Sequence, residues 1–283
     1  MKIIIGKNAG FCYGVKRAVD GAKEEVKNAN GDVYCLGEIV HNRDVVKSLE
    51  NQGVKFIEDI SEAKENAIVR AHGIEKNIYK KAEELGIKIK DYTCPKVLKI
   101  HEIAEKYANE GFYIILTGSK KHPENIGTIS FCGDHYFVVE NEEMIEEAIM
   151  EFKKTKIEKL LLISQTTFSV EKFKNIQEKI KELMWPDIDL VVKNTICSAT
   201  KIRQEEVVEI AKQVDKMIVI GGKNSSNTKK LFEIAKKYCE NTICIENEEE
   251  LDVNFFNQLD KVGIMAGAST PQESIDAVVK KLV

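Results

Sequence analysis

The chain has 283 residues, 43% hydrophobic and 31% charged, an ordinary globular composition with length enough for one large domain or two to three small ones. Its net charge of −4 argues against general attraction to nucleic acid or anionic lipid, so an anionic ligand must be held by local donors. No apolar stretch approaches membrane length and the isoleucine run after Lys2 is far short of a signal-peptide core; the expected location is the cytoplasm, where seven cysteines remain thiols rather than disulfides.

Taken in chain order, short β-branched runs predict strands at Lys2–Ile5, Val33–Gly37, Val54–Ile57, Ala67–Ala71, Ile87–Thr93 and Tyr113–Thr117. They continue at Phe137–Val139, Lys159–Ser164, Leu190–Thr195, Met217–Gly221, Thr242–Glu246 and Val262–Ala266. Amphipathic helical periods lie between most of them, as at Val15–Val26, Val97–Ala108, Lys172–Leu183 and Glu205–Val214. Alternation of this kind predicts α/β layers with mainly parallel sheets.

A repeat shows in spacing rather than identity. Cys12 in GFCYGVKRA, Cys94 in DYTCPKVLK and Cys197 in NTICSATKIRQ each follow an apolar strand and open a helix. One strand later comes a polar loop with His41, His122 or Ser225, at intervals of 29, 28 and 28 positions. A second polar loop follows the third strand of each repeat, with His72, with Thr166 and Thr167, or with Ser269. The third repeat lacks a fourth strand, which Lys2–Ile5 can supply because it leads into Cys12. The expected architecture is three pseudo-symmetric α/β domains with four-stranded sheets about a pseudo-threefold axis. Their bounds are 13–95, 96–193, and 194–283 completed by 1–12. Ligands of parallel α/β layers sit at strand carboxyl ends, so all these loops can face one cavity.

Three thiolates at one centre suit a metal or a cluster. The chain has no C-x-x-C pair, which disfavours zinc ribbons and ferredoxin-type runs; cysteines 82 and 103 positions apart must be assembled by tertiary structure. A cubane on three cysteines keeps one iron without a protein ligand, able to polarise an oxygen, and a cluster also delivers single electrons. The expected helix amino termini favour thiolate. Cys35, Cys132, Cys239 and Cys244 lack the strand–cysteine–helix context and read as core or incidental residues. A redox-inert zinc site and a phosphate binder without redox chemistry are the rival readings; a dinucleotide fold has no G-x-G-x-x-G to support it.

His41, His72 and His122, with Ser225, Ser226, Asn227 and Ser269, offer donors suited to phosphate oxygens, although each residue alone also reads as a helix cap. Glu124, just after Pro123, reads equally as a first-turn carboxyl and as a proton donor with a raised pKa. His101 and His135 read as ordinary surface or helix residues.

GFCYGVKRA, GEIVHN, RAHG, DYTCP, HPE-x-x-GT, QTT-x-S, NTIC-x-AT-x-x-RQ, NSSN and AGASTP occur in one order from Lys2 to the last helix. In this the chain resembles the 4-hydroxy-3-methylbut-2-enyl diphosphate reductase family. The resemblance implies a trefoil of three α/β domains around a central 4Fe–4S cluster held by Cys12, Cys94 and Cys197, with its fourth iron open to the substrate hydroxyl. It implies a diphosphate clamp of His41, His72, His122, Ser225, Ser226, Asn227 and Ser269. Glu124 would supply protons through Thr166, with His122 close to the chemistry and Gln165 and Thr167 in support. The implied reaction yields isopentenyl and dimethylallyl diphosphate, with electrons from reduced ferredoxin or flavodoxin. Tyr92, Lys96 and Met265 look atypical against the family and replace no proposed ligand.

Overall fold

The computed structural model describes residues 1–29, 31–184 and 186–283. Its strands are β1 (Lys2–Ile5), β2 (Val33–Leu36), β3 (Val54–Ile57), β4 (Asn66–Val69), β5 (Lys88–Asp91) and β6 (Tyr113–Thr117). Six more follow: β7 (Tyr136–Val139), β8 (Lys159–Ser164), β9 (Asp189–Val192), β10 (Lys216–Ile220), β11 (Thr242–Ile245) and β12 (Lys261–Ala266). The helices are α1 (Tyr13–Asn28), α2 (Arg43–Asn51), α3 (Lys76–Glu84), α4 (Pro95–Asn109) and α5 (Pro123–Ile129). They continue as α6 (Ile145–Lys154), α7 (Val170–Leu183), α8 (Ser198–Ala211), α9 (Ser226–Tyr238) and α10 (Gln272–Leu282).

The strands form three four-stranded sheets, ordered β1-β12-β10-β11, β3-β2-β4-β5 and β7-β6-β8-β9, and every pairing is parallel. The amino-terminal strand completes the sheet of the last three strands, with Ile3 opposite Val262. Counted from the first strand of each group, all three sheets have the order 2-1-3-4. The order reverses between the first and third strands, and loops at such a switch point splay apart to leave a crevice at the strand carboxyl ends.

Burial explains which runs became central strands. In β6, Tyr113 and Ile115 face the packed side chains of α6 and α7, including Phe152, Phe173 and Ile176, while Ile114 and Leu116 face Ile100 and Ala104 of α4. A strand buried on both faces must be apolar throughout, and β6, β8, β10 and β12 are nearly so. The edge strand β5, with the sequence KIKD, keeps its polar residues. Each fully buried isoleucine or leucine contributes about 1.5–3 kcal/mol.

By its internal packing the chain divides into two compact units. The first comprises Met1–Asp20, Val40–Gln52 and Ser198–Val283 and holds the sheet β1-β12-β10-β11. The second comprises Gly21–Ile39 and Gly53–Cys197 and holds the other two sheets. No helix among the described residues is long and apolar enough to cross a membrane.

Candidate active site

Each of the three spaced cysteines stands immediately before a helix: Cys12 before α1, Cys94 before α4 and Cys197 before α8. Their amides are anchored in the same way. Cys12 N–H donates to Ala268 O (3.1 Å), Cys94 N–H to Ala71 O (3.0 Å) and Cys197 N–H to Thr166 O (3.0 Å). Each acceptor lies on the loop after the third strand of its sheet, two positions beyond β12, β4 and β8 respectively. One backbone hydrogen bond, repeated three times, thus sets each cysteine beside its sheet's switch-point loop.

Of the other four cysteines, Cys244 is half-buried on β11 with its thiol pushed up by burial, and the remaining three differ in kind. Cys35, Cys132 and Cys239 are buried, and their thiols donate to the carbonyls of Gly37, Thr128 and Asp215. Burial pushes the Cys35 and Cys132 thiols up to about 12, so they stay protonated and inert. Cys12, Cys94 and Cys197 are only half-buried. A thiol that is to bind a shared inorganic group needs that access, and the repeated amide anchor gives it a fixed pose. The donor set fits an iron–sulfur cluster with three protein thiolates.

In the second unit the remaining predicted residues form a continuous chain. Thr166, whose carbonyl anchors Cys197, donates its N–H to Glu124 Oε1 and its hydroxyl to Glu124 Oε2, both at 2.6 Å. Glu124 is 2% exposed, and burial pushes its pKa up to about 7 against the opposing pull of the Thr166 hydrogen bonds. The Glu124 amide donates to Nδ1 of His122, which caps α5 (3.2 Å). A neutral imidazole accepting at Nδ1 carries its proton on Nε2, leaving Nε2 as the donor. The His122 ring meets the His72 ring edge to face, with centroids 5.4 Å apart. His72 follows Ala71, the anchor of Cys94.

Gln165 and Thr167 brace this chain. Gln165 Nε2 donates to Thr167 Oγ1 (2.8 Å), and Gln165 Oε1 accepts from Asn125 Nδ2 (3.1 Å), which also donates to Ser119 O. Asn125 received no role from the sequence, because only the fold brings α5 beside the β8 loop.

His101 is a helix residue, as expected, but not a surface one. It is buried on α4, stacked on Phe131 at 4.5 Å, and burial pulls its pKa down to about 4, so the ring is neutral at physiological pH. A Cβ added at Gly73, next to His72, would come within 3.0 Å of its ring. His101 is therefore an interior support of the His72 loop, not a surface residue. His135 is exposed.

The first unit gathers a different set. Ser225 caps α9 by accepting the Thr228 amide (3.3 Å), and Ser226 begins the helix. Asn227 is 4% exposed, yet its Nδ2 has no hydrogen-bond partner among the described residues. A buried carboxamide donor without a partner is costly unless a ligand satisfies it. Ser269 donates to the backbone oxygen of His41 (3.1 Å), and Asn42 caps α2 by accepting the Val45 amide. Gly222 makes the closeness possible: a Cβ there would lie 2.4 Å from His41 O.

The three atypical positions are structural or exposed. Tyr92 packs its ring on Gly21 and donates to Glu25 (3.0 Å), Met265 packs beneath Gly6, and Lys96 is exposed.

Fold and strand-end chemistry together define an α/β protein of three parallel four-stranded sheets that carries cysteines and proton-active groups at its switch points. The family model described as LytB protein matches residues 3–283, and the chain belongs to that family. The 4-hydroxy-3-methylbut-2-enyl diphosphate reductase of Clostridioides difficile is 44% identical over 99% of this chain and 98% of its own length. Its counterpart in Aquifex aeolicus is 43% identical over 99% and 95%. A solved structure of (E)-4-hydroxy-3-methyl-but-2-enyl diphosphate reductase, the terminal enzyme of the non-mevalonate pathway, aligns with a TM-score of 0.72 at 42% identity, covering 99% of this chain and 98% of that one. The Plasmodium falciparum E-1-hydroxy-2-methyl-but-2-enyl-4-diphosphate reductase aligns with a TM-score of 0.89 at 31% identity, covering 99% and 87%.

Proposed function

We propose that this chain reduces 4-hydroxy-3-methylbut-2-enyl diphosphate to isopentenyl and dimethylallyl diphosphate, using two electrons and two protons and releasing the allylic hydroxyl as water. The observation that carries the reading is the double role of Thr166: its carbonyl anchors Cys197 while its amide and hydroxyl hold a carboxyl poised near neutrality.

Cys12, Cys94 and Cys197 would hold a 4Fe–4S cluster. When bound, that cluster supplies single electrons and a Lewis acid at the iron that lacks a protein ligand. The protein's own contribution is positioning and proton delivery. With a pKa of about 7, Glu124 is substantially protonated at neutral pH. A protonated Glu124 donates to Thr166 Oγ1, whose hydroxyl then rotates to donate its own proton onward to the substrate hydroxyl. The Thr166 N–H stays fixed on Glu124 Oε1 and keeps the carboxyl oriented through both protonation states.

His41, His72, His122, Ser225, Ser226, Asn227 and Ser269 would clamp the diphosphate, with Nε2 of His122 and Nδ2 of Asn227 as donors. Anion binding by imidazole, hydroxyl and carboxamide suits a chain with net charge −4. The domains of the proposed enzyme are 13–95, 96–193, and 194–283 with 1–12. It includes a cytoplasmic location, where thiols stay reduced, and reduced ferredoxin or flavodoxin as electron donor.

The test is an anaerobic assay with dithionite-reduced dye and the allylic diphosphate, run beside an iron and sulfide count. Turnover with stoichiometric iron and sulfide is expected. Stoichiometric zinc without sulfide would end the proposal.

A further inference from the structure

The three cysteines reach their helices through connections of different length. Residues 92–93 join β5 to Cys94, and 193–196 join β9 to Cys197, whereas 6–11 separate β1 from Cys12. A longer connection carries more conformational entropy and holds its end less firmly unless something fixes it. The 193–196 segment is tied to its own sheet: Lys193 N–H donates to Leu162 O, and Thr195 Oγ1 accepts from Ser164 N–H. The segment before Cys12 has backbone ties of its own at Gly6, Ala9 and Cys12, but the amides of Lys7 and Asn8 turn elsewhere.

They turn to α8. Glu206 accepts the Lys7 amide on Oε1 (2.6 Å) and, on Oε2, both the Asn8 amide (3.0 Å) and its Nδ2 (3.1 Å). Three positions earlier on the same helix, buried Arg203 donates Nη2 to Gly10 O (2.8 Å) and Nη1 to Ala199 O (3.0 Å). Residues three apart on a helix share a face, so one face of α8 grips the segment at both ends. Gly10 is left-handed, with φ of +93°, a conformation glycine adopts without strain. The gripping helix begins directly after Cys197.

We infer that Arg203 and Glu206 are positioning residues for Cys12, clamping its long connection to the helix that Cys197 heads and thereby governing how firmly the cluster is retained. The part concerning retention rests on the proposed cluster; the part concerning the pose of Cys12 does not. Both contacts are charge-assisted hydrogen bonds made to the backbone, the stronger kind. Lysine at position 203 would keep the charge but offers one nitrogen for two carbonyls.

The test uses the full chain purified anaerobically, as wild type and as Arg203→Met, Arg203→Lys, Glu206→Gln and Glu209→Gln, the last an exposed control on α8. Two rates are measured: iron release to a chelator, followed by visible absorbance, and, after the metal is stripped, iodoacetamide alkylation of each cysteine by peptide mass spectrometry. Circular dichroism establishes that each variant is folded. Arg203→Met and Glu206→Gln are expected to speed both iron release and Cys12 alkylation about tenfold, the effect of losing one charge-assisted hydrogen bond on a local opening equilibrium. Cys94 alkylation stays at the wild-type rate, Arg203→Lys falls between, and Glu209→Gln changes nothing.

Equal acceleration at Cys12 and Cys94, unchanged Cys12 alkylation, or faster alkylation with unchanged iron release would each overturn the inference. A wild-type result for Arg203→Lys would do so as well, by removing the two-carbonyl bridge as the cause. If the wild type carried no iron while Cys12 alkylation alone accelerated, the cluster proposal would fail and the clamp on the Cys12 segment would stand.

Discussion

In the first unit the loops after β10 and β12 present hydroxyls, a buried carboxamide and backbone amides, none of which titrates near neutrality. The loops after β6 and β8 in the second unit have the same topology and strand order but lead to His122, Glu124 and Thr166, a hydrogen-bonded set in which burial pushes the Glu124 carboxyl up to about 7. A shared 2-1-3-4 sheet therefore serves two purposes. Under the proposed function the first unit adds neutral donors for the diphosphate, and the second adds, beside the His72 and His122 donors, a carboxyl that carries a proton. The cysteine anchor is common to both units, while the chemistry beside it diverged.

The comparison can be broken most sharply through the shared element. Cys197→Ser is expected to collapse iron and sulfide content and reduce turnover by more than about a hundredfold, since even residues supporting metal ligands cost 10–100-fold; full turnover in that variant would remove Cys197 as a cluster ligand. Glu124→Gln addresses the proton-bearing half. Turnover in an anaerobic assay should fall by about 10²–10⁴-fold while substrate affinity, read by calorimetry, stays near wild type. Wild-type turnover would remove Glu124 as the acid.

Glu124 also sets a pH signature. Its pKa in the folded chain, about 7, lies above its ordinary value of 4.5, so the native state holds the proton more tightly than the unfolded state. The stability it contributes is full below about pH 4.5 and is lost as pH rises through about 7. Urea midpoints at pH 5 and pH 7.5 should therefore differ more for wild type than for Glu124→Gln, and equal differences would place the proton elsewhere.

The anion-holding half is sharpened by Asn227→Ala, which should raise KM about tenfold while kcat holds, the pattern of a lost ground-state hydrogen bond to a charged ligand. A fall in kcat alone would remove Asn227 as a ground-state donor to the diphosphate. The smallest effect is on stability: Gly222→Ala forces a Cβ to 2.4 Å from His41 O and should cost about 1–3 kcal/mol in denaturant unfolding.

Much of this was legible in residues alone. All twelve strands lie where β-branched runs predict them, and β1 supplies the fourth strand of the last sheet, as its lead into Cys12 suggested. The ends of several strands fell shorter than predicted. Val33–Gly37 stops at Leu36 because Gly37, left-handed at φ +67°, turns the chain away. Cys12, Cys94 and Cys197 stood out because their context repeats, whereas Asn125, His101, Arg203 and Glu206 belong to no repeat.

Periodicity and spacing are properties of neighbours along the chain, so the sequence by itself determined the alternation of elements, the parallel α/β class and the recurrence of cysteine and polar loops. Whether Glu124 is an ordinary first-turn carboxyl or an acid poised near neutrality was decided by tertiary structure, because desolvation depends on what covers a group rather than on what precedes it. The joint at Thr166 and the grip of α8 on the Cys12 segment are likewise hydrogen bonds across 42 and nearly 200 positions, which only the folded chain brings within reach.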